Sequence, residues 1–228
     1  MDERKYYYGL VDTTNKKYGY GFVLEDDSRR TDDFIEVSEK EHKELFEKQN
    51  EGLDIVCFDR KVFNAPQGEY YTDDNGVWHK KDKSEFIREQ ALNNAQNLIN
   101  EIYLIKANKA YCGVIINDML VFETNQTSIT NTVASLALMS DTATANWKFY
   151  TVGGEPYVQQ VSKLQLAGIA QFGQNMINEC FAVEGQANEN LQTATIEQLN
   201  DEVWRNDFIN GVQAEMDKVN NKLTVSFE

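Results

Sequence analysis

The sequence predicts an α+β protein in two parts: a small N-terminal antiparallel β domain with one helix (residues 1–82), then a helical domain carrying two β-hairpins (residues 83–228). Three observations lead there. Up to Asp82, short runs rich in Tyr, Phe, Val and Ile alternate with turn residues every ~8 to 12 positions, the rhythm of antiparallel strands. Beyond Asp82, apolar residues recur at the spacing of a helix face. Two apolar runs inside that helical stretch are each split by a tight-turn pair, Asn117-Asp118 and Gly153-Gly154.

Taken in order, YYYGLV and YGYGFVL flank the polar connection DTTNKK and read as a tyrosine-rich hairpin. EDDSRRTDD is a charged loop and FIEV a short strand. Ser38 with Glu41 three positions on has capping-box spacing and opens a helix to about Asn50, stopped by Gly52. Only Leu45 and Phe46 anchor that helix, which places it on a surface. LDIVCF continues as a strand. EYYT and VWH flank DDNG as a second hairpin, with Asn75-Gly76 expected to supply the positive φ angles of its turn.

In the second part, Asp82 and Glu85 make another capping pair before a long helix whose stripe is Ile87, Ala91, Ala95, Leu98, Ile102 and Ile105. Val114–Ile116 and Met119–Phe122 around a two-residue turn are apolar throughout, so both faces are expected to be covered. WKFYTV-GG-EPYV repeats the device, and Pro156 confines its strand to a sheet edge. From Ser162 a helix aligns Leu166, Ile169, Gly173, Met176, Ile177 and Cys180. Thr195 and Gln198 cap one further helix with Leu199, Val203, Phe208, Val212 and Met216. The closing LTVSFE alternates Leu223, Val225 and Phe227 with polar residues. A terminal strand of this kind either closes the local sheet or adds to a neighbouring subunit.

Composition narrows the function classes. Hydrophobic residues make up 41% and charged residues 26%, enough apolar side chain for real cores. The net charge of −15 is spread along the chain, and residues 84–228 hold 8 basic against 17 acidic residues, which argues against nucleic-acid binding. Cys57, Cys112 and Cys180 are odd in number and far apart, so three buried reduced thiols are expected. The opening MDERKYYY has no apolar signal core, and no apolar run has the ~18 residues of a membrane span. No membrane insertion and synthesis in the cytoplasm are the expectations.

Chemistry-bearing patterns are sparse. His42 lies in the charged run EKEHKE and His79 beside lysines, both expected on the surface. Asp73-Asp74-Asn75-Gly76 opens like a calcium loop, but its twelfth position falls on Ser84, so a hairpin turn is the better reading. Gly153-Gly154 lacks the following Lys-Ser or Lys-Thr of a phosphate loop, and YGYG lacks dinucleotide spacing. The 37 acidic residues neither support nor exclude glycosidase chemistry. No catalytic residue, metal or cofactor is assigned. Tyr6, Tyr7, Tyr8, Tyr18, Tyr20 and Phe22 are denser than the core of so small a sheet requires. With Leu223, Val225 and Phe227 they are the candidate interface residues.

The order GVIINDMLVFETNQTS, WKFYTVGGEPYVQQVSKLQLAGIAQ, LQTATIEQL resembles a domain of unknown function near the C-terminus of many bacteriophage tail-fibre and tail-fibre-assembly proteins. Gly113, Val114, Phe122, Thr124, Trp147, Gly153, Leu164, Leu166, Ala194, Thr195 and Leu199 carry it, over roughly residues 84–200. Asn125 departs from the pattern, standing where an acidic residue is common, and residues 201–228 lie beyond the usual end. FIEVSEKEHKELFEKQNEGLDIVCFDRKVF is similar to a segment of phage tail and tail-fibre-assembly proteins, with Gln49 and Gly52 at matching positions. The resemblance implies a non-enzymatic component of the distal tail, tail fibre or baseplate. It would be made in the host bacterial cytoplasm and housed in the virion tail. Its implied partners are other phage tail, fibre or baseplate proteins and further copies of itself. Two alternatives are an assembly chaperone not retained in the virion, and a receptor- or carbohydrate-binding tail protein using the tyrosine-rich face.

Overall fold

Strand β1 (Lys5–Asp12) lies between β2 (Tyr18–Leu24) and β3 (Ile35–Ser38), antiparallel to both, with Tyr8 opposite Phe22 on one side and Tyr6 opposite Val37 on the other. The computed structural model describes residues 4–12 and 18–227, and the side chain of Tyr18 lies outside what it describes. Helix α1 (Glu39–Asn50) starts at the expected capping box, with the Ser38 and Glu41 side chains each accepting the other's backbone N–H. It ends at Gly52, whose φ is +95°. β4 (Leu53–Phe58) then pairs with β5 (Lys61–Pro66), a strand that sequence reading did not separate out. Its turn, Asp59-Arg60, takes left-handed φ angles of 51° and 56° with no glycine or asparagine to advertise it. β6 (Tyr70–Thr72) and β7 (Trp78–Lys80) form the expected hairpin, but only Gly76 has positive φ. Asn75 does not need it: Asp73 Oδ1 accepts the N–H groups of Asn75 and Val77, both at 2.9 Å, and shapes the turn. That carboxylate is thereby spent on the turn.

The chain divides into two units, residues 1–89 and 90–228, with the break inside α2 (Lys83–Ala110). Composition placed the change at 82/83, where the strands stop. The Lys81 ammonium pairs with Glu89, which ties the first turns of α2 to the strand-rich unit.

In the second unit α2 leads into β8 (Val114–Ile116) and β9 (Leu120–Phe122). Asn117 and Asp118 are left-handed, at φ 52° and 54°. Ile116 pairs with Leu120, so the turn holds three residues rather than two and Met119 stands 64% exposed instead of joining the strand. The longer turn keeps Val114, Ile116, Leu120 and Phe122 on one buried face, whereas a shift of one residue would rotate Phe122 away from it. The opposite face, Ile115 and Val121, is only half-buried, so cover on both faces was too strong an expectation.

Helix α3 (Gln126–Leu138) follows, a segment whose β-branched run SITNTV had masked its helical character. Asn125 caps it, accepting the Ser128 N–H at 2.9 Å, which is the bond an acidic residue there would also make. β10 (Thr144–Thr151) and β11 (Pro156–Ser162) form the second hairpin, and β11 is an edge strand as Pro156 demanded.

Helix α4 (Lys163–Gln192) opens with a Ser162–Gln165 capping box and buries Leu166, Ile169, Gly173, Met176, Ile177 and Cys180, the expected face. The helix expected from Thr195 is in fact two. α5 (Ile196–Asn200) ends at Asp201, whose carboxylate accepts from Val203 and Trp204 and opens α6 (Glu202–Lys218). The restart rotates Val203 out to solvent, while Val212 and Met216 are buried. Finally β12 (Lys222–Leu223) runs parallel to β8, giving the sheet order β11-β10-β9-β8-β12.

One core joins Val114, Ile116, Phe122, Phe149, Leu166, Ile169, Met176 and Met216 under this sheet. A second joins Leu98, Ile102, Ala187, Leu191 and Val212, where α2, α4 and α6 meet. The cysteines differ from expectation: Cys180 is buried, Cys57 half-buried and Cys112 exposed, all three free. Burial pushes the Cys180 thiol up to about 11, so it behaves as an apolar side chain at neutral pH.

Candidate functional site

The strand period of two sorts the tyrosines of β1 onto opposite faces. Tyr7 packs with Val23 and Phe34 beneath the Arg30 guanidinium, which sits 4.3 Å from the ring centre. Its hydroxyl donates to Glu36 at 3.3 Å. Tyr6, Tyr8, Tyr20 and Phe22 share the other face with α1. Tyr8 is 4% exposed and its hydroxyl donates to the Ile55 carbonyl at 2.9 Å. Tyr8 packs against Phe22 at 4.6 Å and Tyr20 at 5.6 Å, ring centre to ring centre. The Tyr20 hydroxyl donates to the Gly76 carbonyl at 2.8 Å. Desolvation raises the pKa of both hydroxyls, so they remain donors at any ordinary pH.

His42 completes the group. Its ring stacks on Tyr6 at 3.7 Å, meets Phe22 edge-on at 4.6 Å and lies 4.8 Å from Phe46. It is half-buried, not the surface histidine expected from EKEHKE. Burial is the main cause of its lowered pKa, with Glu39 opposing weakly. His42 and Phe46 stand four residues apart on α1, the spacing that puts two side chains on one helix face. That spacing was the available signal, and the charged residues between them obscured it.

Together these rings line an open cleft of about 630 Å³. At its rim Arg29 meets Asp27 in a bidentate pair (Nη2 to Oδ2 2.6 Å, Nε to Oδ1 2.9 Å), which holds the Asp27 carboxyl down at about 2. Gln49 adds an amide and Phe46, 40% exposed, an open ring edge. Such a surface can stack flat groups and hydrogen-bond at its margin. His79 lies elsewhere, 3.1 Å from Asp73. Among the described residues no group of three or more His, Cys, Asp or Glu is placed to hold a metal.

The terminal residues do not join this cleft. Leu223 pairs with Ile116, the Asn117 side chain exchanges two hydrogen bonds with the Val225 backbone (2.7 and 2.9 Å), and Phe227 meets Phe149 edge-on at 6.2 Å. All three pack against the core of the second unit. The terminal segment therefore closes the local sheet, and its side chains are withdrawn from the candidate interface set. They are drawn inward because β8 would otherwise present a bare apolar edge.

The second unit also holds a buried cation. Lys106 is 4% exposed, with Nζ 3.4 Å from Glu184 and between the rings of Tyr103 (4.5 Å) and Phe181 (4.4 Å). It follows Ile105, where the apolar stripe read from the sequence ended, and that stripe did not include it.

The chain matches no protein-family model, no curated protein and no solved structure. Among the described residues no helix is long and apolar enough to cross a membrane.

Proposed function

We propose that this chain is a non-enzymatic structural component of a bacteriophage or phage-tail-like particle, in the distal tail, tail fibre or baseplate, and acts by assembling with other tail proteins. One observation carries the reading: several of the residues that resemble the tail-protein domain pack or turn the second unit, although Leu164 is 82% exposed. Val114, Phe122 and Leu166 are fully buried, and the Thr124 hydroxyl donates to the Ala110 carbonyl at 2.7 Å. Gly113 has a φ of +89°, and a Cβ there would stand 2.6 Å from Val121 Cγ1 and 2.9 Å from the Phe122 carbonyl oxygen. The shared pattern is thus a packing and turn specification, which suits a module reused for assembly. Quantitative mass spectrometry of purified particles from a lysate containing this protein tests the reading. A fixed copy number per particle is expected, and its absence from intact particles would leave the assembly-chaperone role instead.

The aromatic cleft favours a second reading, a receptor- or carbohydrate-binding tail protein. Stacked rings with an Asp–Arg rim suit the flat face and hydroxyls of a sugar. Glycan-array binding that is lost in Phe46→Ala and Arg29→Ala would support it. A blank array would remove it.

A further inference from the structure

We infer that β11 is the docking edge for a second copy of this chain, paired antiparallel about a two-fold axis at Gln159. The inference does not rest on the tail reading. It starts from which backbone groups of β11 are already used. Thr151 N–H donates to the Glu155 carbonyl at 2.7 Å and Lys163 N–H to the Ala143 carbonyl at 3.3 Å. In an antiparallel ladder these bonds alternate, so the odd-numbered residues of β11 face β10 and the even-numbered ones face outward. Pro156 has no N–H to offer. The Ser162 N–H is held by Gln165 Oε1 at 2.8 Å. The open donors are therefore Val158 and Gln160, placed symmetrically about Gln159. The Gln160 carbonyl accepts from the exposed Gln159 side-chain amide at 3.2 Å, a bond that a strand would displace.

A second copy fits this edge without a misfit. Centred on Gln159, Val158 of each copy exchanges two hydrogen bonds with Gln160 of the other. Pro156 then lies opposite Ser162, so a residue lacking a donor meets one whose donor is already taken. Electrostatics favour the same face. Two chains of net charge −15 repel at long range, yet PYVQQVS carries no charged residue. Edge strands are commonly guarded by lysine or a bulge. The free side of β10, beyond its short pairing with β9, carries Lys148, whereas the guard on β11 is Pro156 at its first position, which leaves Val158 and Gln160 open. Val158, 62% exposed, with Tyr157 and Leu164 also exposed, supplies apolar surface beside the ladder. A pair of short strands lies at the weak end of protein interfaces, so affinity in the micromolar range follows.

Sedimentation equilibrium of the full chain from about 1 μM to about 1 mM tests this. The expected result is a reversible shift from 26.2 kDa towards twice that mass, tightened by added salt because screening relieves the repulsion. Val158→Lys and Gln160→Pro should each weaken dimerisation at least about tenfold. Gln160→Pro should leave circular dichroism unchanged, since the N–H it removes points outward. Register is read by cysteine pairing in a Cys112→Ser background. Gln159→Cys places two thiols at a non-hydrogen-bonded pair, Cα atoms ~4.5 Å apart, and should oxidise to a covalent dimer. Gln160→Cys should not. A chain monomeric at every concentration, a dimer indifferent to both edge variants, or cross-linking stronger at 160 than at 159 would overturn the proposal.

Discussion

At the scale of single residues, the aromatic cleft is held by a few polar tips inside an apolar group. Tyr8→Phe removes the donor to the Ile55 carbonyl and leaves that oxygen buried. A loss of about 1–3 kcal/mol is expected in urea unfolding. His42 gives a pH signature. Its folded-state pKa is lowered by burial, while the unfolded chain takes up a proton near ~6.5. Stability from the neutral ring is present above that value and lost as pH falls through ~6.5 towards the folded pKa. The melting temperature of the protein should therefore fall relative to that of His42→Phe as pH drops from about 7 to about 5. A constant difference would show that the ring stack is indifferent to charge. Lys106→Ala strands the Glu184 carboxylate, itself largely buried, and should cost about 3 kcal/mol in urea unfolding. A Lys106→Met, Glu184→Leu double variant should recover most of it, because no orphaned charge then remains. His42 and Lys106 were only partly legible: Phe46 and Tyr103 lie one helical turn away, but Tyr6, Phe22 and Phe181 come from distant segments.

At the scale of elements, legibility followed the chemistry of the ends. Both Ser or Thr capping boxes read from the sequence, at Ser38 and Thr195, start a helix, because the donors they satisfy have no intrahelical partner. The Gly-Gly and Asn-Asp turns also formed. What failed were elements whose signals conflict with their composition. α3 carries Ile129, Thr130, Thr132 and Val133, strand-formers that tertiary packing against α4 overrules. β5 hides behind a turn of Asp and Arg. Asp201 divided α5 from α6 because its carboxylate caps a new helix more favourably than it sits inside one. β12 is the element whose partner sequence could not choose. Truncation after Asn220 should uncover β8 and the Phe149 ring, lower the unfolding midpoint of the second unit, and raise binding of a hydrophobic dye. A truncated chain with an unchanged midpoint would show that β12 contributes nothing to the sheet.

At the scale of the whole molecule, the division into a strand-rich and a helix-rich part was legible because the hydrophobic period changes from two to nearly four along the chain. The candidate site was legible only in part. The tyrosine group did form a cleft lining, but Tyr7 was turned to the other face, His42 and Phe46 were added, and Leu223, Val225 and Phe227 were spent on the core. An interface reading weighs apolar side chains by composition, whereas the fold decides which of them remain uncovered.

The bond between Asn117 and Val225 spans 108 positions, and its consequence lies in the order of events during synthesis. A ribosome releases the chain from the N-terminus, so residues 1–89 can fold while the rest is still being made. The sheet of the second unit cannot be completed until residues 222–227 have left the exit tunnel, long after the β8 residues they pair with. During that interval the apolar edge of β8 stays unpaired, open to the strand addition that β12 forecloses once it docks.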